Sequence, residues 1–157
     1  MPGRALAVAR GDEVITLANA LGQRFANVVL TQAWHPPGHR SFASTHPGRK
    51  PFDTVRMPYD ELILWPDHCI QGTIGAAFHG RLTIHHAQLV VRKGWRPDVD
   101  SYSTFVEADG KSTTGLAGYL RERGIDTVYL CELATDFCVA WSSLAPRHQE
   151  RRPPRSS

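Results

Sequence analysis

Cysteine is scarce in this chain: among 157 residues the thiols are Cys69, Cys131 and Cys138. Three thiols at irregular spacing exclude a disulfide framework and a four-cysteine zinc site, and reduced cysteines predict a cytoplasmic location. Long apolar runs are missing as well. No stretch reaches the roughly 18 residues of a membrane helix, and Met1-Pro2-Gly3-Arg4 leads into no secretory hydrophobic segment, so neither a membrane partner nor export is expected. A surplus of one charge is absent from most of the chain. Residues 145–157 hold four Arg and one Glu, which accounts for the whole net charge of +3, while residues 1–144 balance. The pI near 9.0 therefore reflects a tail. That tail lacks apolar residues after Pro146 other than proline and is expected to be disordered. Basic charge without interleaved aromatics gives no nucleic-acid signature.

The remaining 144 residues are long enough for one domain with a core, and they show no repeat and no linker. Asp12 is placed to cap a helix through Ile15, Leu17, Ala18, Leu21 and Phe25. Residues 27–32 read as a buried strand, and residues 33–60, rich in Pro, Gly, His and Ser, as an irregular functional loop. Leu89 to Arg92 is β-branched and reads as a second strand, Ser112 opens a helix that Gly124 ends, and residues 126–130 form a third strand. A last helix is expected from about Thr135 to Leu144. Helices alternating with continuous apolar strands predict an α/β sandwich with a mostly parallel sheet. In such sheets ligands gather beyond the carboxyl ends of the strands. His35, Lys93 and Cys138 each follow or end a predicted strand, so three reactive groups converge on one rim.

Cys138 stands at the strand-to-helix turn Ala134-Thr135-Asp136-Phe137-Cys138. A thiol in the first turn of a helix meets unpaired N–H groups and the positive end of the helix dipole, which favour thiolate and a developing oxyanion. A small buried hydrophobe is the competing reading. Lys93 could stabilise a thiolate or could be an exposed lysine at a strand end. His35, His39 and His68 lie in loops, where neutral imidazoles suit zinc, iron or manganese, although eight histidines also permit chance clustering.

Several segments occur in a recognisable order: Thr31 to Ala43, with Trp34-His35-Pro36-Pro37-Gly38-His39; Leu64 to Thr73, with Trp65-Pro66-Asp67-His68-Cys69; Arg92-Lys93-Gly94; Asp100-Ser101-Tyr102-Ser103; and Leu133 to Val139. Together they resemble the nicotinamidases (pyrazinamidases) of the isochorismatase-like cysteine hydrolases, from about residue 3 to residue 144. The resemblance implies a three-layer α/β/α sandwich and hydrolysis of nicotinamide, or its analogue pyrazinamide, to the acid and ammonia in NAD salvage. It implies Cys138 as nucleophile and Lys93 as its cationic partner. It makes His35 and His68 ligands of a divalent metal (zinc, manganese or iron), with His39 as a further one. The amides of Ala134 and Cys138 would form the oxyanion hole beside a cis peptide from Leu133 to Ala134, and Trp65 and Tyr102 would line the ring slot. A monomer or a homo-oligomer is compatible with it.

The departures from the family pattern carry expectations of their own. The Asp-x-Gln-x-Asp-Phe strand, whose first Asp handles the proton in the family, has no counterpart, and the C-terminal strand and helix are missing after Leu144. The chain is expected to be an incomplete domain over 1–144 with a tail over 145–157. Ala33 stands where the family places a carboxylate metal ligand, which predicts weakened metal binding. Glu132 replaces a glycine and brings a charge close to the nucleophile. These losses predict impaired turnover, with Asp136 the first residue to examine if turnover proves ordinary. A sister hydrolase acting on isochorismate or ureidoacrylate, or an inactive remnant that binds ligand or an intact relative, are the alternatives.

Overall fold

The computed structural model describes residues 6–133 together with Cys138, Ala140, Ser142 and Ser143. Helix α1 (Glu13–Gly22) precedes strand β1 (Val29–Ala33), the short strands β2 (Thr54–Arg56) and β3 (Glu61–Ile63), strand β4 (Leu89–Lys93) and helix α2 (Leu116–Glu122). β1 and β4 run parallel, in register from Val29 opposite Leu89 to Ala33 opposite Lys93. Their β-branched and leucine side chains suit a pleated, covered surface. Val91, Phe105 and Leu116 form a buried cluster against which Val29, Leu89 and Leu120 pack. This seats α2 on the sheet, and the chain is α/β with a parallel pair, as its pattern predicts.

The local details differ in four places. Asp12 sits at the N-terminus of α1 but makes no capping bond. Its carboxylate instead accepts a 2.9 Å bond from Arg81. Ser112 does not open α2, because its hydroxyl donates to Asp109 at 2.7 Å and Gly115, at φ 90°, turns the chain just before Leu116. A hairpin begins inside the 33–60 loop and ends just beyond it: β2 pairs antiparallel with β3, closed by the Met57 amide on the Asp60 carbonyl at 2.8 Å. Each arm has three residues, too few for an alternating pattern to stand out in sequence.

The fourth difference is the segment 126–130, which forms no strand. It has strand-like side chains but lies across a cleft of about 860 Å³ from β1, without a ladder partner among the described residues. Val128 and Tyr129 are 44% and 74% exposed. An isolated extended segment cannot satisfy its own backbone groups, so pattern alone does not make a strand. Cys138, Ala140, Ser142 and Ser143 do have helical backbone, in agreement with the expected last helix. The rest of that helix, the Leu133–Ala134 peptide bond, the Ala134 amide, Asp136 and the tail over 145–157 lie outside the described residues. Among the described residues no helix is long and apolar enough to cross a membrane.

Candidate active site

The parallel pair sets the first two groups. Because Ala33 is the register partner of Lys93, the chain leaving β1 passes directly above the end of β4. The Trp34 amide closes the gap by donating to the Lys93 carbonyl at 2.9 Å, and the next residue is His35. Gly94 follows Lys93 with φ 67°, and a Cβ there would collide with the His35 ring. Only glycine combines that backbone with that closeness. The Gly94 carbonyl accepts a 2.9 Å bond from His35 Nδ1, which fixes the tautomer and leaves the lone pair on Nε2.

The second histidine loop is brought in through backbone bonds. The His35 amide donates to Cys69 at 3.0 Å and the His35 carbonyl accepts from Gln71 at 2.8 Å. Cys69 itself has φ 47°, a turn that folds Pro66–Cys69 back toward the rim. The His68 ring lies 4.8 Å from that of His35. Its Nδ1 donates to the Pro66 carbonyl at 2.8 Å, again leaving Nε2 as the acceptor. His39 sits behind them, fully buried, with Nδ1 2.7 Å from the Ser41 hydroxyl and Nε2 3.2 Å from the Val99 carbonyl.

His35, His39 and Asp100 offer donor atoms that all lie within 4.8 Å of one another, a possible metal site. Burial, reinforced by His39 and His68, pushes the His35 imidazole down to about 3. Burial also lowers His39 and His68. Neutral imidazoles beside a carboxylate are the donor set of a divalent transition metal. Asp100 supplies the test of fit. Its Oδ1 accepts from the Ser101 amide at 2.8 Å, whereas its Oδ2 is buried with no hydrogen-bond partner among the described residues. A carboxylate oxygen left bare inside the protein is costly unless a cation meets it. Ala33 itself offers no carboxylate, as expected, but another carboxylate, Asp100, reaches His35 and His39 from the loop after β4. Asp100 belonged to a quoted motif, but nothing in its local sequence shows that it turns toward residues 60 positions away.

The thiol lies on the same cleft. Cys138, Lys93, Trp65, Tyr102, His35 and His68 all line it. The Trp65 indole donates to the Tyr102 hydroxyl at 3.4 Å, and their rings stand edge to face. This gives the cleft an aromatic wall. Lys93 is not an exposed strand-end lysine, being 3% exposed. Its ammonium donates to the Tyr102 carbonyl at 2.9 Å and to Glu132 at 3.1 Å, and it lies on the same cleft as the Cys138 side chain, with which it interacts electrostatically. Burial works against that charge, but Cys138 and Glu132 outweigh it and push the Lys93 pKa up.

Nucleophile, ammonium and metal-type donors on one strand rim define a cysteine hydrolase of the α/β class. The chain belongs to the isochorismatase family, whose domain matches residues 6–145. A curated nicotinamidase from Acinetobacter baylyi is 55% identical over 91% of this chain and 67% of its own length. Among solved structures, a nicotinamidase and pyrazinamidase from Acinetobacter baumannii is 56% identical, with a TM-score of 0.92 over 95% of this chain and 72% of that one. The pyrazinamidase of Pyrococcus horikoshii in complex with zinc is 34% identical, with a TM-score of 0.70 over 94% of this chain and 72% of that one. These likenesses bear out neither the expected impairment nor the sister-hydrolase and remnant readings.

Proposed function

We propose that this chain is a cysteine amidohydrolase of the nicotinamidase type, converting nicotinamide to nicotinate and ammonia and accepting pyrazinamide as an analogue. One observation carries the reading: the Cys138 thiol and the buried Lys93 ammonium, which interact electrostatically, line the same cleft as His35. A thiol gives up its proton as it attacks, and a neighbouring ammonium stabilises the negative charge that forms on sulfur. A C–S bond forms to the amide carbon while the carbonyl π pair moves to oxygen. The backbone N–H of Cys138, with that of Ala134 on the family pattern, is assigned to the oxyanion. Collapse breaks the C–N bond once the nitrogen has taken a proton, and ammonia leaves. Water then attacks the thioester, a C–O bond forms, the C–S bond breaks, and the acid is released.

Trp65 and Tyr102 provide an apolar face for a flat heteroaromatic ring. His35 and His68 through Nε2, with Asp100 and His39, would hold the metal, and we assign zinc on the donor set and on the zinc-bound relative. When bound, the metal supplies a Lewis acid that fixes a ring nitrogen of the substrate. A cytoplasmic setting, which keeps the thiol reduced, belongs to the same reading. Purified protein supplied with zinc should release ammonia and nicotinate from nicotinamide, and Cys138→Ser should abolish both. No product above the Cys138→Ser background would refute the assignment.

A further inference from the structure

Amide hydrolysis by a thiol needs a group that takes a proton as the thiol attacks and returns one to the departing nitrogen. Lys93 cannot fill that role alone, because an ammonium whose pKa is pushed up by its neighbours gives up its proton reluctantly. Among the described residues, the carboxylate paired with Lys93 is Glu132. Read from sequence, that side chain looks like a liability beside the nucleophile. In the structure it is mostly covered, 17% exposed, and its Oε1 lies 3.1 Å from Lys93 Nζ, while Glu132, Lys93 and Cys138 all line one cleft.

We propose that Glu132 is the proton carrier of this site, exchanging a proton with Cys138 through Lys93. The inference rests on the nicotinamidase-type reading. As the thiol attacks, Nζ takes the thiol proton and passes one of its own to Glu132, so Lys93 stays an ammonium while the C–S bond forms. On collapse, Nζ gives a proton to the leaving nitrogen and recovers one from Glu132, and the C–N bond breaks. In the second half the attacking water gives its proton to the same relay, the C–S bond breaks, and the relay returns that proton to the departing sulfur, restoring the thiol and the Glu132 carboxylate. Protons and charge balance over the cycle with no co-reactant other than water. Besides Glu132, Nζ meets the Tyr102 carbonyl, and the charged or titratable groups within its electrostatic reach include Cys138 and His35.

Glu132 acts through Lys93, and this makes a test that separates relay from structural support. Glu132→Gln keeps the shape and one acceptor but removes the carboxylate. Its kcat for nicotinamide should fall about a hundred- to ten-thousand-fold, with KM nearly unchanged. Alkylation of Cys138 by iodoacetamide should move the other way. Losing a neighbouring anion favours thiolate, so the pH midpoint of alkylation shifts down. Glu132→Asp, which retains a carboxylate, should turn over faster than Glu132→Gln. The proposal is overturned if Glu132→Gln keeps kcat within about threefold, if kcat and alkylation fall together, or if Glu132→Asp is no faster than Glu132→Gln. If the unmodified protein releases no ammonia, the nicotinamidase-type reading fails by itself. The alkylation midpoint then still decides whether Glu132 and Cys138 are coupled, and an unchanged midpoint ends the proposal.

Discussion

Gly94 shows how much of the site rests on single positions. Its φ of 67° is a conformation that L side chains rarely adopt, and its missing Cβ is what allows the His35 ring to reach the end of β4. Gly94→Ala should cost about 1–3 kcal/mol from backbone strain alone, with a further loss because the ring must move. Urea unfolding would measure the first effect and zinc titration the second, and an alanine variant matching the parent in both would show that His35 has room to spare. Glu132 makes a complementary point. A charged residue near a nucleophile is a defect or an asset according to where its side chain ends, and here it ends 3.1 Å from Lys93. The sequence shows the charge. Only the fold shows its partner.

At the scale of elements, the loops beyond β4 are tied together by a buried carboxyl group. Glu107, 3% exposed, accepts from the Gly94 amide at 3.4 Å, and its own amide donates to the Ser112 carbonyl at 2.8 Å. Its Oε2 is buried without a hydrogen-bond partner. Burial pushes its pKa above the usual 4.5. The folded protein therefore holds a proton that the unfolded chain has already released, so this contribution to stability is complete below pH 4.5 and declines as the pH rises through the raised value. Glu107→Gln should flatten that decline. Melting temperatures of parent and variant should converge in acid and separate in the variant's favour toward neutrality. A constant difference across the range would mean that the carboxyl does not titrate with folding. The β2–β3 hairpin and the failed strand at 126–130 belong to this scale too. Three-residue arms are enough when a neighbouring turn closes them, and a good strand sequence is not enough without a neighbour.

For the whole molecule, the decisive feature is that loops distant in sequence converge on one cleft. Zinc bound at the proposed site would join them through Asp100 and the histidines, so it should act as a stabiliser of the folded chain. At about 100 times its Kd it adds about 2.7 kcal/mol, readable as a rise in melting temperature. Asp100→Asn should erase most of that rise while leaving the metal-free melting temperature unchanged or higher, because it replaces a carboxylate with a bare buried oxygen. A full zinc-dependent rise in the variant would place the metal elsewhere. The sequence by itself determined the α/β class with parallel strands, and it placed His35 just beyond one apolar strand and Lys93 at the end of another. These follow from local periodicity, and strand ends bring their next residues to a common rim whatever the loops do. It did not determine that Asp100 stands beside the histidines, that Glu132 pairs with Lys93, or that 126–130 remains outside the sheet. Each of those depends on the distance between groups separated by tens of residues, and long-range packing, to which propensity and pattern carry no reference, alone sets that distance.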